Sequence, residues 1–462
     1  MKISMRQLSQ DYKSLANQSV TVQGWIRTNR SQKEFGFISF NDGSTLSTLQ
    51  IVYDRSLTNF DEVSKWRVGC SITVTGTVVF TPENKQPYEL KASVAVLEGD
   101  SPEDFPIQPK RHSKEFLREQ AHLRPRTNLF NAVFRVRSLL AFAIHDFFHS
   151  RDFLYIHAPI ITASDAEGAG EMFQVTTLDL NKLPKLNNGF VDYSKDFFGK
   201  KTNLTVSGQL EAETFAQAFK NVYTFGPTFR AENSNTTRHA SEFWMIEPEM
   251  AFSELSDDMD LVEDMVKYVI QYILENAKEE LAFFDQFVAL GKVAQLEALV
   301  NSHIYRCEYE EAIAILEKQN DKFENKIKYG DDLSTEHEKY LTDVHFKAPV
   351  FVINWPKEIK AFYMRLNEDG KTVAAMDLLV PGSGELVGGS QREERYDVLM
   401  KKMIELKVPV SGMEWYLDLR KYGGTKHSGF GLGFERLVMY VTGVENIRDV
   451  LPYPRTPKNC DF

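Results

Sequence analysis

Over residues 1–97, apolar and polar positions alternate in short runs. T-V-Q-G-W-I-R, F-G-F-I-S-F, T-L-Q-I-V-Y, S-I-T-V-T-G-T-V-V-F and Y-E-L-K-A-S-V-A-V-L repeat with period two, as a strand with one buried face does. Turn-rich stretches separate them, and Phe60 to Trp66 suits a short helix between the third and fourth. Five such strands predict a small barrel. Glu98 to Pro109 then loses all period and gains proline and acid, which reads as the start of a linker over 98–127. From Asn128 to Arg151 the period becomes that of a helix, and F-L-Y-I-H-A-P follows as a strand ending at Pro159. The rest, within a domain spanning 128–462, groups strands with strands and helices with helices, an α+β pattern. Ser256 to Gln319 reads as helical, with a helical insertion at about 280–345, and the polar Asn181 to Asn203 reads as a surface insertion.

Composition adds modest limits. With 462 residues, 42% hydrophobic and 26% charged, the chain suits two or three globular domains. No apolar run reaches membrane-spanning length, and the opening M-K-I-S-M-R-Q-L-S-Q-D lacks the apolar stretch of a signal peptide. Cys70, Cys307 and Cys460 stand far apart, which argues against a zinc site or disulfide framework and for a cytoplasmic setting. The net charge of −11 hides an asymmetry, because residues 1–97 carry 11 Lys and Arg against 8 Asp and Glu. A mildly basic front on an acidic body suits a localised RNA contact; chance variation of surface charge gives the same count.

Candidate chemistry concentrates in four segments. F-R-A-E (Phe229 to Glu232) and E-F-W-M-I-E-P-E (Glu242 to Glu249) flank a polar loop, and G-F-G-L-G-F-E-R (Gly429 to Arg436) lies far downstream. Arg230 interrupts the otherwise apolar strand V-Y-T-F-G-P-T-F-R, as a solvated edge charge or as an anion ligand. The planar arginine fork can grip a phosphate and a carboxylate together, and an aromatic such as Phe243 offers adenine its face unless it is a core residue. The close-set glycines, Gly433 among them, let backbone approach a nucleotide. In G-E-L-V-G-G-S-Q-R (Gly384 to Arg392), Glu385 is the best candidate to hold Mg2+ between phosphates, with Asp377 second; a solvated turn glutamate is the plain alternative.

The ordered pair around Arg230 and Arg436 resembles motifs 2 and 3 of the class II aminoacyl-tRNA synthetases, and the helix and strand ending at Pro159 resemble motif 1. S-G-Q-L (Ser207 to Leu210) and A-E-G-A (Ala166 to Ala169) resemble elements of the aspartyl/asparaginyl branch. F-F-G-K-K-T-N-L-T-V-S-G-Q-L-E-A-E-T with Y-T-F-G-P-T-F-R-A-E-N-S is similar to its bacterial asparaginyl enzymes. The resemblance implies an N-terminal OB-fold barrel that reads the anticodon, followed by a catalytic domain on an antiparallel sheet. It also implies a homodimer built through motif 1.

For the site, the resemblance implies that Arg230 contacts the α-phosphate and the substrate carboxylate. Phe243 and Arg436 would sandwich adenine, Glu232 would accept from its amino group, and His239 would reach the terminal phosphates. Ser207 and Gln209 would hold the α-amino group, and Glu167 would close over the amino acid. Phe37, Gln50 and Glu89 fall where the branch places its anticodon readers, although Phe37 could instead be barrel core. Aspartyl enzymes carry a lysine where this chain has Ala212; Arg392 and Glu247 would then meet the two ends of a side-chain amide. The implied reaction joins L-asparagine to tRNA(Asn) at the expense of ATP, with Mg2+. An aspartyl-tRNA synthetase, an ammonia-dependent asparagine synthetase and a non-catalytic tRNA-binding paralogue are the rivals.

Overall fold

A computed structural model describes residues 1–84, 86–164, 171–234 and 236–462. They fall into two compact units, Met1–Arg135 with Phe462, and Val136–Asp461. The first unit holds the barrel. Strands β1 (Ser19–Ser31), β2 (Phe35–Asn41), β3 (Leu49–Asp54), β4 (Ser71–Phe80) and β5 (Tyr88–Gly99) close in the order β1-β2-β3-β5-β4. Alternate residues turn inward, so Val20, Val22, Ile38, Phe40, Ile51, Val74 and Leu90 fill the interior. The expected short helix is present at Phe60–Val63, and a further helix, Met5–Asp11, packs Met5 and Leu8 into the same core. The linker is less bare than its composition suggests. Strand β5 runs on to Gly99, and a capped helix, Lys114–Glu119, is set within it because Ser113 accepts the Phe116 amide at 3.1 Å.

The second unit is organised by an eight-stranded sheet. Its strands are β6 (Leu154–Tyr155), β10 (Asn221–Phe229), β11 (Glu242–Ala251), β12 (Tyr305–Glu308), β13 (Val350–Pro356), β14 (Thr372–Val380), β15 (Gly384–Gln391) and β16 (His427–Gly433). The order is β12-β13-β14-β15-β16-β11-β10-β6, antiparallel except at the two ends, where β12 pairs with β13 and β6 with β10 in parallel. Three short strands, β7 (Ile161–Thr162), β8 (Gln174–Val175) and β9 (Thr202–Leu204), form a separate small sheet. The long helix Leu255–Asn276 packs Met259, Val262, Val266 and Ile270 as one buried stripe, and the helix Gln209–Phe219 lies on β10 and β11.

Three expectations change here. The supposedly helical region contains β12, four residues that pair with a strand more than forty positions away. The strand before Pro159 shrinks to Leu154–Tyr155, since only two residues find a partner on β10. The insertion at Asn181 to Asn203 ends inside β9, and Asp196 anchors it by accepting from Thr176 at 2.6 Å and from the Thr177 amide at 2.9 Å.

Candidate active site

Strand β11 supplies the axis of the site. Phe243, Met245, Glu247 and Glu249 alternate along it and share one face. Arg230 follows the last residue of β10, and its amide donates to the Ser241 carbonyl at 3.0 Å, which closes the loop between the two strands. Its guanidinium lies 5.3 Å from the centre of the Phe243 ring.

One cavity brings together Arg230, Glu232, His239, Phe243, Glu385, Gly433 and Arg436, residues from segments up to about two hundred positions apart. Arg436 and Glu385 form an ion pair of 3.1 Å across it. His239 is hydrogen-bonded to Thr236 at 2.5 Å. Sequence reasoning missed Arg238, which lines the same cavity and donates to the Ser383 carbonyl at 2.5 Å. The glycines differ in what they make room for. A Cβ at Gly429 would meet the Pro248 carbonyl at 2.2 Å, so this glycine lets β11 and β16 approach each other, and one at Gly431 would meet the tip of the Met245 side chain at 2.9 Å. At Gly433 the nearest atom would be 3.8 Å away.

Asp377 and Glu385 meet through an irregularity. Register between β14 and β15 shifts at Leu378/Leu379, leaving Leu386 as an extra residue. That bulge moves Glu385 onto the face that carries Asp377. Asp377 Oδ2 is paired with Lys360 at 2.7 Å and Glu385 Oε2 with Arg436. The other oxygens, Asp377 Oδ1 and Glu385 Oε1, each lie 3.3 Å from the position a Cβ on Gly388 would take. Burial pushes the Asp377 carboxyl up to about 6, with Glu385 adding repulsion and Lys360 opposing. Glu338, unforeseen from sequence, accepts the Glu385 amide at 3.2 Å; burial and the neighbouring carboxylates push it up to about 7. A Cβ on Gly384, whose φ is +85°, would strike Glu338 at 2.2 Å. Two hard oxygens converging beside an arginine-lined cavity fit a divalent cation that takes its remaining ligands from phosphates and water. Among the described residues no group of three or more metal-ligating side chains forms.

A second cavity holds Ser207, Gln209, Glu247, Asp377 and Arg392, and shares Arg230, Met245, Glu385 and Gly431 with the first. Glu247 was expected to meet one end of a substrate's side-chain amide. It also accepts from Ser207, from the Gly208 amide at 2.9 Å and from Thr224 at 3.3 Å, so it fixes the start of the helix Gln209–Phe219. Arg392 is buried, with Nε and Nη2 on Glu249 at 3.2 and 2.5 Å and Nη1 on Ser390 at 2.8 Å. That uses three of the five N–H groups an arginine has and leaves two for a ligand. Burial pushes the Glu249 carboxyl up to about 7 while Arg392 pulls the other way. Glu249 continues the β11 alternation past Glu247, a signal the sequence did contain; Tyr363, 5.3 Å from the Arg392 guanidinium, had none. Ala212 lies outside this cavity, fully buried against Ile156, Ala216 and Val222, so the residue is a packing contact. Glu167 and its A-E-G-A segment lie outside the described residues.

On the barrel, Phe37, Gln50 and Glu89 are half-buried on β2, β3 and β5, and Phe37 is not part of the core. Gln50 pairs across from Ser39, two residues from Phe37, so both side chains occupy the outer face. Gln50 Nε2 donates to Glu89 at 2.9 Å.

Residues 113–457 match the family model for class II tRNA synthetases (D, K and N), and residues 20–97 that for the OB-fold nucleic acid binding domain. The asparagine–tRNA ligase of Acholeplasma laidlawii is 64% identical, with 100% of each chain covered. The structure is similar to that of asparaginyl-tRNA synthetase from Pyrococcus horikoshii complexed with asparaginyl-adenylate, with a TM-score of 0.85, 31% identity and 97% of each chain covered. It is also similar to the Entamoeba histolytica asparaginyl-tRNA synthetase in complex with asparaginyl-adenylate, with a TM-score of 0.83, 27% identity and coverage of 100% and 99%. By this match across both units, the chain belongs to the class II tRNA synthetases of the D, K and N group, in the asparagine–tRNA ligase family.

Proposed function

We propose that the chain ligates L-asparagine to tRNA(Asn) through an asparaginyl-adenylate. A carboxylate oxygen of asparagine bonds to the α-phosphorus of ATP while the bond to the bridging oxygen breaks, releasing pyrophosphate. A hydroxyl of the terminal ribose of the tRNA then attacks the carbonyl carbon and loses its proton, and AMP leaves. One observation carries this reading: Arg230 lines both cavities, where a nucleotide's α-phosphate and an amino acid's carboxylate would meet.

The first step needs no side-chain base, because a carboxylate is already a nucleophile. Positioning and charge stabilisation supply the rate, and Arg230 is placed for both. In this reading Phe243 and Arg436 hold adenine, Glu232 accepts from its amino group, and His239 faces the outer phosphates. Asp377 and Glu385 would hold Mg2+, which when bound neutralises phosphate charge. Ser207 and Gln209 lie at the α-ammonium end, Glu247 would accept from the side-chain NH2, and Arg392 has two N–H groups left for the amide carbonyl. Phe37 would stack on an unstacked anticodon base while Gln50 and Glu89 read its edge.

A homodimer is part of the proposal. Phe142 on the helix Asn128–His149 and Leu154 and Tyr155 on β6 stay exposed, apolar side chains that a second copy would cover. A cytoplasmic setting agrees with the scattered cysteines and with the finding that no helix among the described residues is long and apolar enough to cross a membrane. The deciding experiment is ATP–pyrophosphate exchange with each amino acid in turn. Asparagine should support it and aspartate should not; the reverse result would make the chain an aspartyl enzyme, and no exchange with any amino acid a non-catalytic paralogue.

A further inference from the structure

Gln209 lines the amino-acid cavity with a side-chain amide, and an amide has two unlike ends. Its oxygen would hold an ammonium group and its NH2 would repel one. What decides between them lies one helical turn further on. Glu213 Oε1 accepts from Gln209 Nε2 at 3.1 Å and from the Tyr416 hydroxyl at 2.8 Å. Oε2 accepts from Arg420 at 2.8 Å and lies 2.9 Å from His427 Nε2. Glu213 is wholly buried. Burial opposes its charge, yet Arg420 and His427 outweigh that and hold the carboxyl well below the usual carboxylate range. An ionised carboxylate only accepts, so the end of Gln209 that meets it must be the NH2.

Nor can Glu213 turn away. Arg420 is itself fixed by donating from Nε to the Glu393 carbonyl at 2.8 Å, and His427 Nδ1 lies 2.9 Å from the Thr425 carbonyl. We propose that Glu213 is a positioning residue that turns the carbonyl of Gln209 into the cavity, as an acceptor for the α-ammonium group of the amino-acid substrate. This rests on the reading of that cavity as the amino-acid site. It also says how Glu213→Gln should fail. Arg420 and His427 would claim the new oxygen, so the new NH2 would face Gln209. Gln209 would have to answer with its own oxygen and turn its NH2 toward the ammonium.

The test is pyrophosphate exchange by Glu213→Gln, Gln209→Met and the double variant, with KM measured for asparagine and for ATP. Glu213→Gln should raise the asparagine KM on the order of tenfold, the size expected for losing a hydrogen bond to a charged group. The ATP KM should stay put, and the double variant should be no worse than Gln209→Met alone. An unchanged asparagine KM in Glu213→Gln, or effects that multiply in the double variant, would overturn the proposal. If Gln209→Met itself leaves the asparagine KM unchanged, it is the amino-acid reading of the cavity that fails. Should Glu213→Gln not fold, Glu213→Asp keeps the charge beside Arg420 but shortens the reach to Gln209, and the same cycle decides.

Discussion

The Ser207 hydroxyl donates to the Glu247 carboxylate, whose other oxygen accepts the Gly208 amide at 2.9 Å. A serine and a glutamate forty positions apart are thus tied together on the wall of the second cavity, and a ligand there would meet them as a unit.

Selectivity is the first consequence. Glu247 presents negative charge to the cavity, and a carboxylate substrate would be repelled there. The wild type should prefer asparagine to aspartate by a factor on the order of 10⁴ in kcat/KM for pyrophosphate exchange. Glu247→Gln sets an NH2 against either the Ser207 hydroxyl or the Gly208 N–H, and it should cut that preference sharply. Equal use of both amino acids by the wild type would defeat the assignment.

Arg230 serves both cavities, so its loss should be felt in the chemical step itself. Arg230→Ala should lower the rate of pyrophosphate exchange by roughly 10²-fold or more. Near-normal exchange would mean that the phosphate and carboxylate are held elsewhere.

If Phe37 stacks on tRNA as proposed, its outer position separates tRNA recognition from amino-acid activation. Phe37→Ala should weaken tRNA binding by roughly 1–3 kcal/mol, the value of one base–aromatic stack. Aminoacylation should fall while tRNA-independent exchange stays normal. A parallel fall in both would show that Phe37 supports the barrel rather than the RNA.

Lys292 gives a prediction about stability. It is buried over the Tyr440 ring, with Nζ on Gln295 at 2.6 Å, and burial lowers its pKa to about 8 from an ordinary 10.5. Between those values the unfolded chain binds more protons than the folded one, so this residue's contribution rises with pH from about 8 to 10.5 and is lost as pH falls through 8. Lys292→Met removes the buried charge at the cost of one hydrogen bond. It should therefore raise stability at pH 7 by about 1–2 kcal/mol, with the gain fading above pH 10. Thermal midpoints of both proteins across that range are the measurement, and a pH-independent difference would refute the account.

Much of this was legible in the chain. The barrel strands were, because one buried face forces a period of two, and so were Arg230, Phe243 and Arg436 of the first cavity, because their motifs are local. What could not be read depends on distant pairing. Glu385 reaches the face of Asp377 only through the extra residue at Leu386, and periodicity alone would place it on the opposite face. The four residues of β12 carry too little pattern to announce a strand without β13. Glu213 looked like one more helical glutamate, since Tyr416, Arg420 and His427 come to it from 203 to 214 positions away.

The stripe on β11 has a meaning for how such a protein can change. Phe243, Met245, Glu247 and Glu249 stand at intervals of roughly 7 Å, two residues of extended chain each, and run from the first cavity toward the second like marks on a ruler. Exchanging a mark alters one measurement, so a new amino-acid preference is reachable by single replacements at the far end of the scale. Inserting or deleting one residue between Phe243 and Glu249 would turn every later mark to the back of the sheet and exchange the Glu247 and Glu249 carboxylates for apolar neighbours such as Ile246. This segment should tolerate drift in letters and almost none in length.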